Sequence, residues 1–66
     1  AILARLLQAR DHLRAAATTL HPARWHALYE PQLLILEEDI LSRFAAREVA
    51  AAEPLLTQLP PLPELR

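Results

Sequence analysis

Six prolines and a complete lack of glycine most constrain how this 66-residue chain can fold. Proline has no backbone N–H and clashes with the carbonyl four residues earlier, so it suits the first turn of a helix and disrupts a helix interior. The prolines lie at positions 22, 31, 54, 60, 61 and 63. Long helices are therefore expected before position 22 and between positions 31 and 54.

The first of these stretches has the periodicity of an amphipathic helix. At about 100° per residue, one narrow arc is apolar; it contains Ile2, Leu6, Leu13, Ala17 and Leu20, with Leu3 and Leu7 on its flank. Thr18 and Thr19 are weak helix formers, and Pro22 disfavours the α conformation at His21. We predict a helix over about residues 1–20 and a turn at residues 21–24.

The second half of the hairpin contains an interruption. Pro22 suits the first position of a new helix, and residues 23–29 have a helical pattern. Pro31 would clash with the carbonyl of Ala27, so the helix either kinks there or restarts with Pro31 at its first position. From Pro31 the helical pattern continues to about Ala52.

The apolar surface of this second helix is broader than one neighbour needs. One stripe consists of Leu33, Leu36, Ile40, Phe44 and Ala51, and a second consists of Leu34, Leu41, Ala45 and Ala52. A helix that packs against a single neighbour requires only one apolar stripe of about 100°. The two stripes therefore predict two neighbours, of which the first helix can supply one.

These patterns predict an all-α protein, with an antiparallel helical hairpin over residues 1–53 and a short turn and Pro-rich tail over residues 54–66. Residues 55–59 suit one more helical turn, and the run from Pro60 to Pro63 favours an extended conformation. Charge agrees with antiparallel pairing. Residues 1–20 carry three Arg and one Asp, for +2, whereas residues 31–53 carry five acidic residues and two Arg, for −3.

Composition excludes several kinds of chemistry. The chain has no Gly, Lys or Cys, which excludes a phosphate-cradling glycine loop, a Schiff base and a thiol nucleophile. The three His lack the spacing of a metal site, and Glu37, Glu38 and Asp39 point in different directions on a helix. We expect no enzymatic activity, no cofactor and no metal. The near-neutral charge and short apolar runs also predict no binding to nucleic acid or membrane.

Several side chains are candidates for contact with a partner protein. Trp25 and Tyr29 lie four residues apart and either cap the hairpin or anchor a partner, while Arg10 and Arg47 lie in or beside apolar stripes. The arginines either extend their charge to solvent or bind a partner carboxylate. The full set of predicted partner-binding residues is Leu3, Leu7, Arg10, Trp25, Tyr29, Leu33, Leu36, Ile40, Phe44 and Arg47.

Part of the sequence resembles a known family. Ile2-Leu3, Leu6-Leu7, Ala9-Arg10 and Leu13, followed by His21-Pro22, Trp25 and Leu36-Glu37, are similar to the small E-type co-chaperones of type III secretion needle subunits. The resemblance covers roughly residues 2–47. It implies a helical hairpin that binds and stabilises a larger tetratricopeptide-like chaperone, which in turn prevents premature polymerisation of the needle subunit.

The resemblance and the apolar stripes lead to two expectations about function. The first is a binding module in the cytoplasm that packs against a helical-repeat chaperone and reaches a needle subunit only indirectly. The second is a structural homodimer, in which two hairpins form a four-helix bundle through the same stripes. No signal peptide is expected, because the start of the chain has its charge within the apolar stretch.

Overall fold

The computed structural model describes residues 2–63, in which all regular secondary structure is helical. The elements in chain order are α1 (Ile2–Ala16), α2 (Pro22–Leu28), α3 (Glu30–Arg43), α4 (Ala46–Ala52) and a 3₁₀ helix (Glu53–Gln58). The predicted all-α class is confirmed. The predicted start of the first helix at Ala1 and the end of the tail at residues 64–66 lie outside the described residues.

Helices α1 and α3 form the predicted antiparallel hairpin. Leu7, near the start of α1, packs with Ile40 near the end of α3, whereas Leu13 packs with Leu33 at the opposite end. Residue numbers therefore rise along one helix as they fall along the other. Helix α2 lies against α3 at the closed end of this pair.

The first helix is shorter than predicted, since it ends at Ala16 and not near Leu20. The backbone N–H groups of residues 17–19 donate to carbonyls three residues earlier, at 3.1–3.2 Å, which tightens the chain beyond α-helical geometry. The hydroxyls of Thr18 and Thr19 donate to two of the same carbonyls, at 2.7 and 3.2 Å. This local competition from threonine ends the helix one turn early.

The turn predicted at residues 21–24 is also shorter, because α2 already begins at Pro22. His21 precedes the helix with φ −58° and ψ 134°, and its Nδ1 accepts a hydrogen bond from the N–H of Ala23 at 3.2 Å. A side chain that accepts from an early N–H caps a helix. Pro22 occupies the position that costs no hydrogen bond, as the sequence predicted.

At Pro31 the structure adopts a restart. Helix α3 begins at Glu30, one residue earlier than predicted, so Pro31 lies in its first turn. Tyr29 ends α2 and precedes α3, with φ −117° and ψ −30°. The side-chain amide of Gln32 donates to the carbonyl of Leu28 at 2.6 Å, which gives a partner to a carbonyl at the end of α2.

A second break, at Phe44 and Ala45, corrects the prediction of one helix to about residue 52. Phe44 has φ −133° and ψ 141°, and Ala45 has φ −73° and ψ 155°, both extended. A straight α3 would continue beyond the start of α1 and leave its apolar residues in solvent. The break turns α4 back, so that Val49 and Ala52 pack over the core between α1 and α3.

The core consists of two clusters joined by Leu36, which packs against both. The larger cluster contains Leu3, Leu7, Ile40 and Ala52, with Leu6, Leu36, Phe44, Val49 and Leu56 around them. The smaller cluster contains Leu13, Tyr29 and Leu33, with Leu20, Trp25 and Leu36 around them. Leu7 is fully enclosed, which makes it the centre of the larger cluster.

The segment after α4 returns along α1. Its 3₁₀ helix contacts both α1 and α4, and Leu56 packs on the larger core cluster. Further along, the side-chain amide of Gln8 donates to the carbonyl of Pro60 at 2.6 Å. A side chain of α1 thus contacts the first residue of the Pro-rich run.

Candidate protein-binding surface

The structure places most of the predicted partner-binding residues inside the fold. Leu3, Leu7, Tyr29, Leu33 and Ile40 are buried in the two core clusters. The partly buried members of the set are Arg10, Trp25, Leu36 and Phe44, and only Arg47 is exposed. In the folded chain, the stripe that the sequence assigned to a partner is therefore covered by α1 and α4.

The exposed apolar surface of α3 lies on a different side. The exposed fractions of Leu34, Ile35 and Leu41 are 57%, 71% and 77%. Each is nevertheless adjacent in sequence to a residue that packs in the core, namely Leu33, Leu36 or Ile40. We call Leu34, Ile35 and Leu41, together with Glu38 between them, the outer face of α3. It is the largest group of exposed apolar side chains on one described helix.

The sequence contained a partial signal for the outer face. The second predicted stripe included Leu34 and Leu41, which are exposed, but also Ala52, which is buried in the core. Ala52 departs from the pattern because the break before α4 ends the continuous helical periodicity. Ile35 belonged to neither stripe, so its exposure became visible only when the packing of α3 was known.

Glu38 is a charged residue that lies between the exposed apolar residues of the outer face. At about 1.5 Å per residue, Leu34 and Leu41 lie about two turns apart, and Glu38 lies between them on the same side of the helix. The acidic residues on either side of it have partners: Glu37 pairs with Arg14 of α1 at 2.8 Å, and Asp39 with Arg43 at 3.1 Å. Within residues 2–63, no hydrogen bond or ion pair involves the side chain of Glu38.

A cleft of about 120 Å³ adjoins the outer face. Its walls come from three helices, and its lining residues are Arg10, Arg14, Glu37, Ile40, Leu41 and Val49. Leu41 belongs to both the cleft and the outer face, so the apolar surface continues from α3 towards α4. The ion pair of Arg14 and Glu37 bounds the cleft on the side of α1.

Arg10 has its charge partners within the chain. Its guanidinium lies 2.8 Å from a carboxylate oxygen of Asp11 and 3.6 Å from one of Glu53, and 14% of the side chain is exposed. Partial burial alone would lower its pKa, but the hydrogen bond and charge of Asp11, with those of Glu53, raise the pKa above its ordinary value. The carboxylates near Arg10 thus come from α1 and from the segment after α4, whereas the sequence had left open a charge extended to solvent or a partner carboxylate.

Trp25 lies on α2 and contacts both α1 and the smaller core cluster. Its indole N–H donates to the carbonyl of Leu13 at 2.8 Å, and its ring packs against the smaller core cluster. The ring also contacts His26 edge-on, with centroids 5.4 Å apart. Of the two predicted roles, the contacts of Trp25 are those of a cap on the closed end of the hairpin.

The histidines do not assemble a metal site within the described part of the chain, where no three His, Cys, Asp or Glu side chains lie close enough to share an ion. His26 pairs with Glu30, four residues later, at 2.6 Å, and His21 caps α2. The Nε2 atom of His12 is buried without a hydrogen-bond partner. None of the helices in residues 2–63 has the length and apolarity needed to cross a membrane.

Comparison with protein-family models, with curated protein sequences and with solved structures finds no match to this chain. The structure itself defines the class as a small all-α hairpin with two additional short helices and a 3₁₀ helix in residues 2–63.

Proposed function

We propose that the protein is a helical binding module, without enzymatic activity, that docks on another protein through the outer face of α3. The observation that carries the proposal is the exposure of Leu34, Ile35 and Leu41 on one side of a single helix. Contiguous exposed apolar side chains mark interaction sites, whereas single ones are normal on a protein surface. Within residues 2–63, the other large exposed apolar residues are Ile2, Leu28 and Leu55, which lie apart on three different elements.

The partner in this proposal is a helical-repeat chaperone of a type III secretion needle subunit, in the cytoplasm. Support for this particular partner comes from the sequence resemblance, and support for a docking role comes from the outer face. After His21 the chain forms the separate helices α2, α3 and α4 and not one long helix, which differs from the hairpin that the resemblance implies. The outer face replaces the stripe of Leu33, Leu36 and Ile40 as the docking surface, because that stripe is covered by α1.

The test is co-expression of the chain with a helical-repeat chaperone encoded beside its gene, followed by co-purification. Leu34→Asp and Leu41→Asp should each abolish the complex, since a charge placed in an apolar interface loses its hydration. Leu55→Asp is the matched control, because Leu55 is an exposed leucine away from α3. Circular dichroism should show the same helix content in all three variants.

The result that would contradict the proposal is a complex that survives both α3 variants. Ile40→Asp and Phe44→Asp are unsuitable for this test, because both side chains pack in the larger core cluster and their loss would unfold the chain. A chain that purifies as a stable dimer, with no chaperone bound, would instead assign the outer face to a second copy.

A further inference from the structure

We infer that the outer face of α3 receives an amphipathic helix of a different protein, with a Lys or Arg between two apolar side chains, and not a second copy of this chain. The inference rests on the proposed function, whose docking partner it specifies by chemistry. The feature that carries it is a single unpaired carboxylate, that of Glu38, in the middle of the exposed apolar side chains of α3.

The position of Glu38 follows from helical geometry. Relative to Leu34, Leu41 lies about 20° to one side around the helix axis, Glu38 about 40° to the other side, and Ile35 about 100° in that same direction. Glu38 is therefore inside the apolar arc and not at its margin. Any partner that covers Leu34, Ile35 and Leu41 also covers Glu38.

Within residues 2–63, the arginines near Glu38 pair with other carboxylates, so Glu38 has no ion-pair partner. Arg14, which faces α3 from α1, is used by Glu37, and Arg43 is used by Asp39 on α3 itself. A carboxylate that loses water against a wholly apolar surface is strongly destabilised, whereas a cation and hydrogen bonds from the partner offset much of that cost. A Lys or Arg at the matching position of the partner meets this requirement.

A second copy of the chain, paired symmetrically through the outer face of α3, does not supply this cation, because the outer face contains no Lys or Arg. In an antiparallel pair of α3 helices, Leu34 of one copy faces Leu41 of the other, and the twofold axis passes between positions 37 and 38. The carboxylate of Glu38 would then face Glu37 of the other copy, whose cation Arg14 is already engaged, so this pairing supplies no free cation to Glu38. In a parallel pair, Glu38 would face Glu38 of the second copy, so both symmetric arrangements bring like charges together.

A helix is the partner element whose side chains follow this spacing most directly. Two apolar side chains seven residues apart, with a cation three or four residues from each, lie on one side of a helix. That pattern is complementary to Leu34, Glu38 and Leu41 along two turns of α3. An amphipathic helix packed in this way also places a side chain near the cleft beside Leu41.

The first experiment uses two synthetic helical peptides of about five turns that carry a leucine stripe and differ at one central position, Lys in one and Glu in the other. Fluorescence anisotropy measures their affinity for the full chain. We expect the Lys peptide to bind about three- to tenfold more tightly at low salt, with the preference reduced as salt is added. Glu38→Lys should reverse the preference, and Glu48→Lys on α4 should leave it unchanged.

The second experiment measures self-association by sedimentation equilibrium. The wild-type chain should be a monomer at about 100 μM, and Glu38→Leu should form dimers at that concentration because the charge that opposes pairing is gone. Adding Leu41→Asp to the Glu38→Leu chain should restore the monomer. Glu48→Leu, which adds a leucine away from the outer face, is the control and should remain monomeric.

The outcomes separate the inference from the proposed function. A wild-type dimer that Leu41→Asp dissociates would overturn the inference, because the occupant would be a second copy. Peptides that bind equally to every charge variant, or a failure of both peptides to bind, would also overturn it. In those cases the proposed function still stands if the chaperone complex is lost on Leu34→Asp and Leu41→Asp, and it fails with the inference if the complex survives them.

Discussion

Ile40 and Leu41 are neighbours in α3 with isomeric side chains and opposite environments. Ile40 is 3% exposed and packs against Leu3, Leu7 and Ala52, whereas Leu41 is 77% exposed on the outer face. We call the side of α3 that contains Ile40 the inner face. The two faces are similar in apolar content, and only the inner one meets complementary side chains.

This difference separates the sources of stability and function in the molecule. The side chains of the inner face stabilise the fold through their contacts with α1 and α4, and truncating them should unfold the chain. The outer face contributes little to folding, so it is free to carry the unpaired charge of Glu38. In a chain of 66 residues, where total stability is small, these exposed side chains leave unused a burial free energy that a partner could supply.

The largest expected effect is the difference in stability between truncation of Ile40 and truncation of Leu41. Ile40→Ala should lower the free energy of unfolding by about 2–5 kcal/mol, because it leaves a cavity in the larger core cluster. Leu41→Ala should change it by less than about 0.5 kcal/mol. Urea unfolding followed by circular dichroism measures both, and similar losses for the two variants would contradict the assignment of the faces.

A second pair of variants tests whether α3 ends at the break before α4. Ala45→Pro should be neutral or raise the free energy of unfolding by about 0.4–1 kcal/mol, because Ala45 already has φ −73° and follows an extended residue. Ser42→Pro, within α3, should lower it by about 3 kcal/mol. A large loss for Ala45→Pro in thermal unfolding would mean that α3 continues through the break.

A smaller effect is expected at the closed end of the hairpin. Trp25→Phe keeps an aromatic ring but removes the N–H that donates to the carbonyl of Leu13, and it should lower the free energy of unfolding by about 1–2 kcal/mol. Leu28→Ala, on the exposed side of α2, serves as the control and should have little effect. Equal stability of Trp25→Phe and wild type would show that the hydrogen bond makes no net contribution.

The smallest effect is expected at the boundary between the two faces. Arg14→Gln removes the ion pair with Glu37, in which both side chains are partly exposed, and should lower the free energy of unfolding by about 0–1 kcal/mol. Added salt should reduce the difference from wild type. Arg24→Gln, an exposed arginine on α2, is the comparison, and a larger loss there would contradict the role of the pair.

Much of the helical framework was predictable because its signals are local. Pro22 and Pro31 mark the starts of α2 and α3 to within one residue, and the pairs of His26 with Glu30 and Asp39 with Arg43 follow from helical spacing. The end of α1 was predicted one turn late. The threonines that end it were identified as weak helix formers, but the tightening of the preceding turn by their hydroxyls was not anticipated.

The candidate site was predictable only in part. The sequence showed that the second half of the hairpin carries two apolar stripes, which correctly indicated more apolar surface than one helix can cover. It did not show which stripe α1 would cover, since Leu33 and Leu34 are equally suited to a core. The partner-binding residues chosen from the first stripe are consequently core residues in the folded chain.

The amino-acid sequence alone determined the all-α class, the two main helices of the hairpin and an interruption at Pro31, because proline geometry and helical periodicity act over a few residues. Whether the chain kinks or restarts at Pro31 was left open by the sequence and decided by the structure. Only the tertiary structure decided the break at Phe44 and Ala45, where neither proline nor glycine is present. That break exists because turning back buries Val49 and Ala52 over α1. The same packing fixed the rotation of α3 and left Leu34, Ile35 and Leu41 outside.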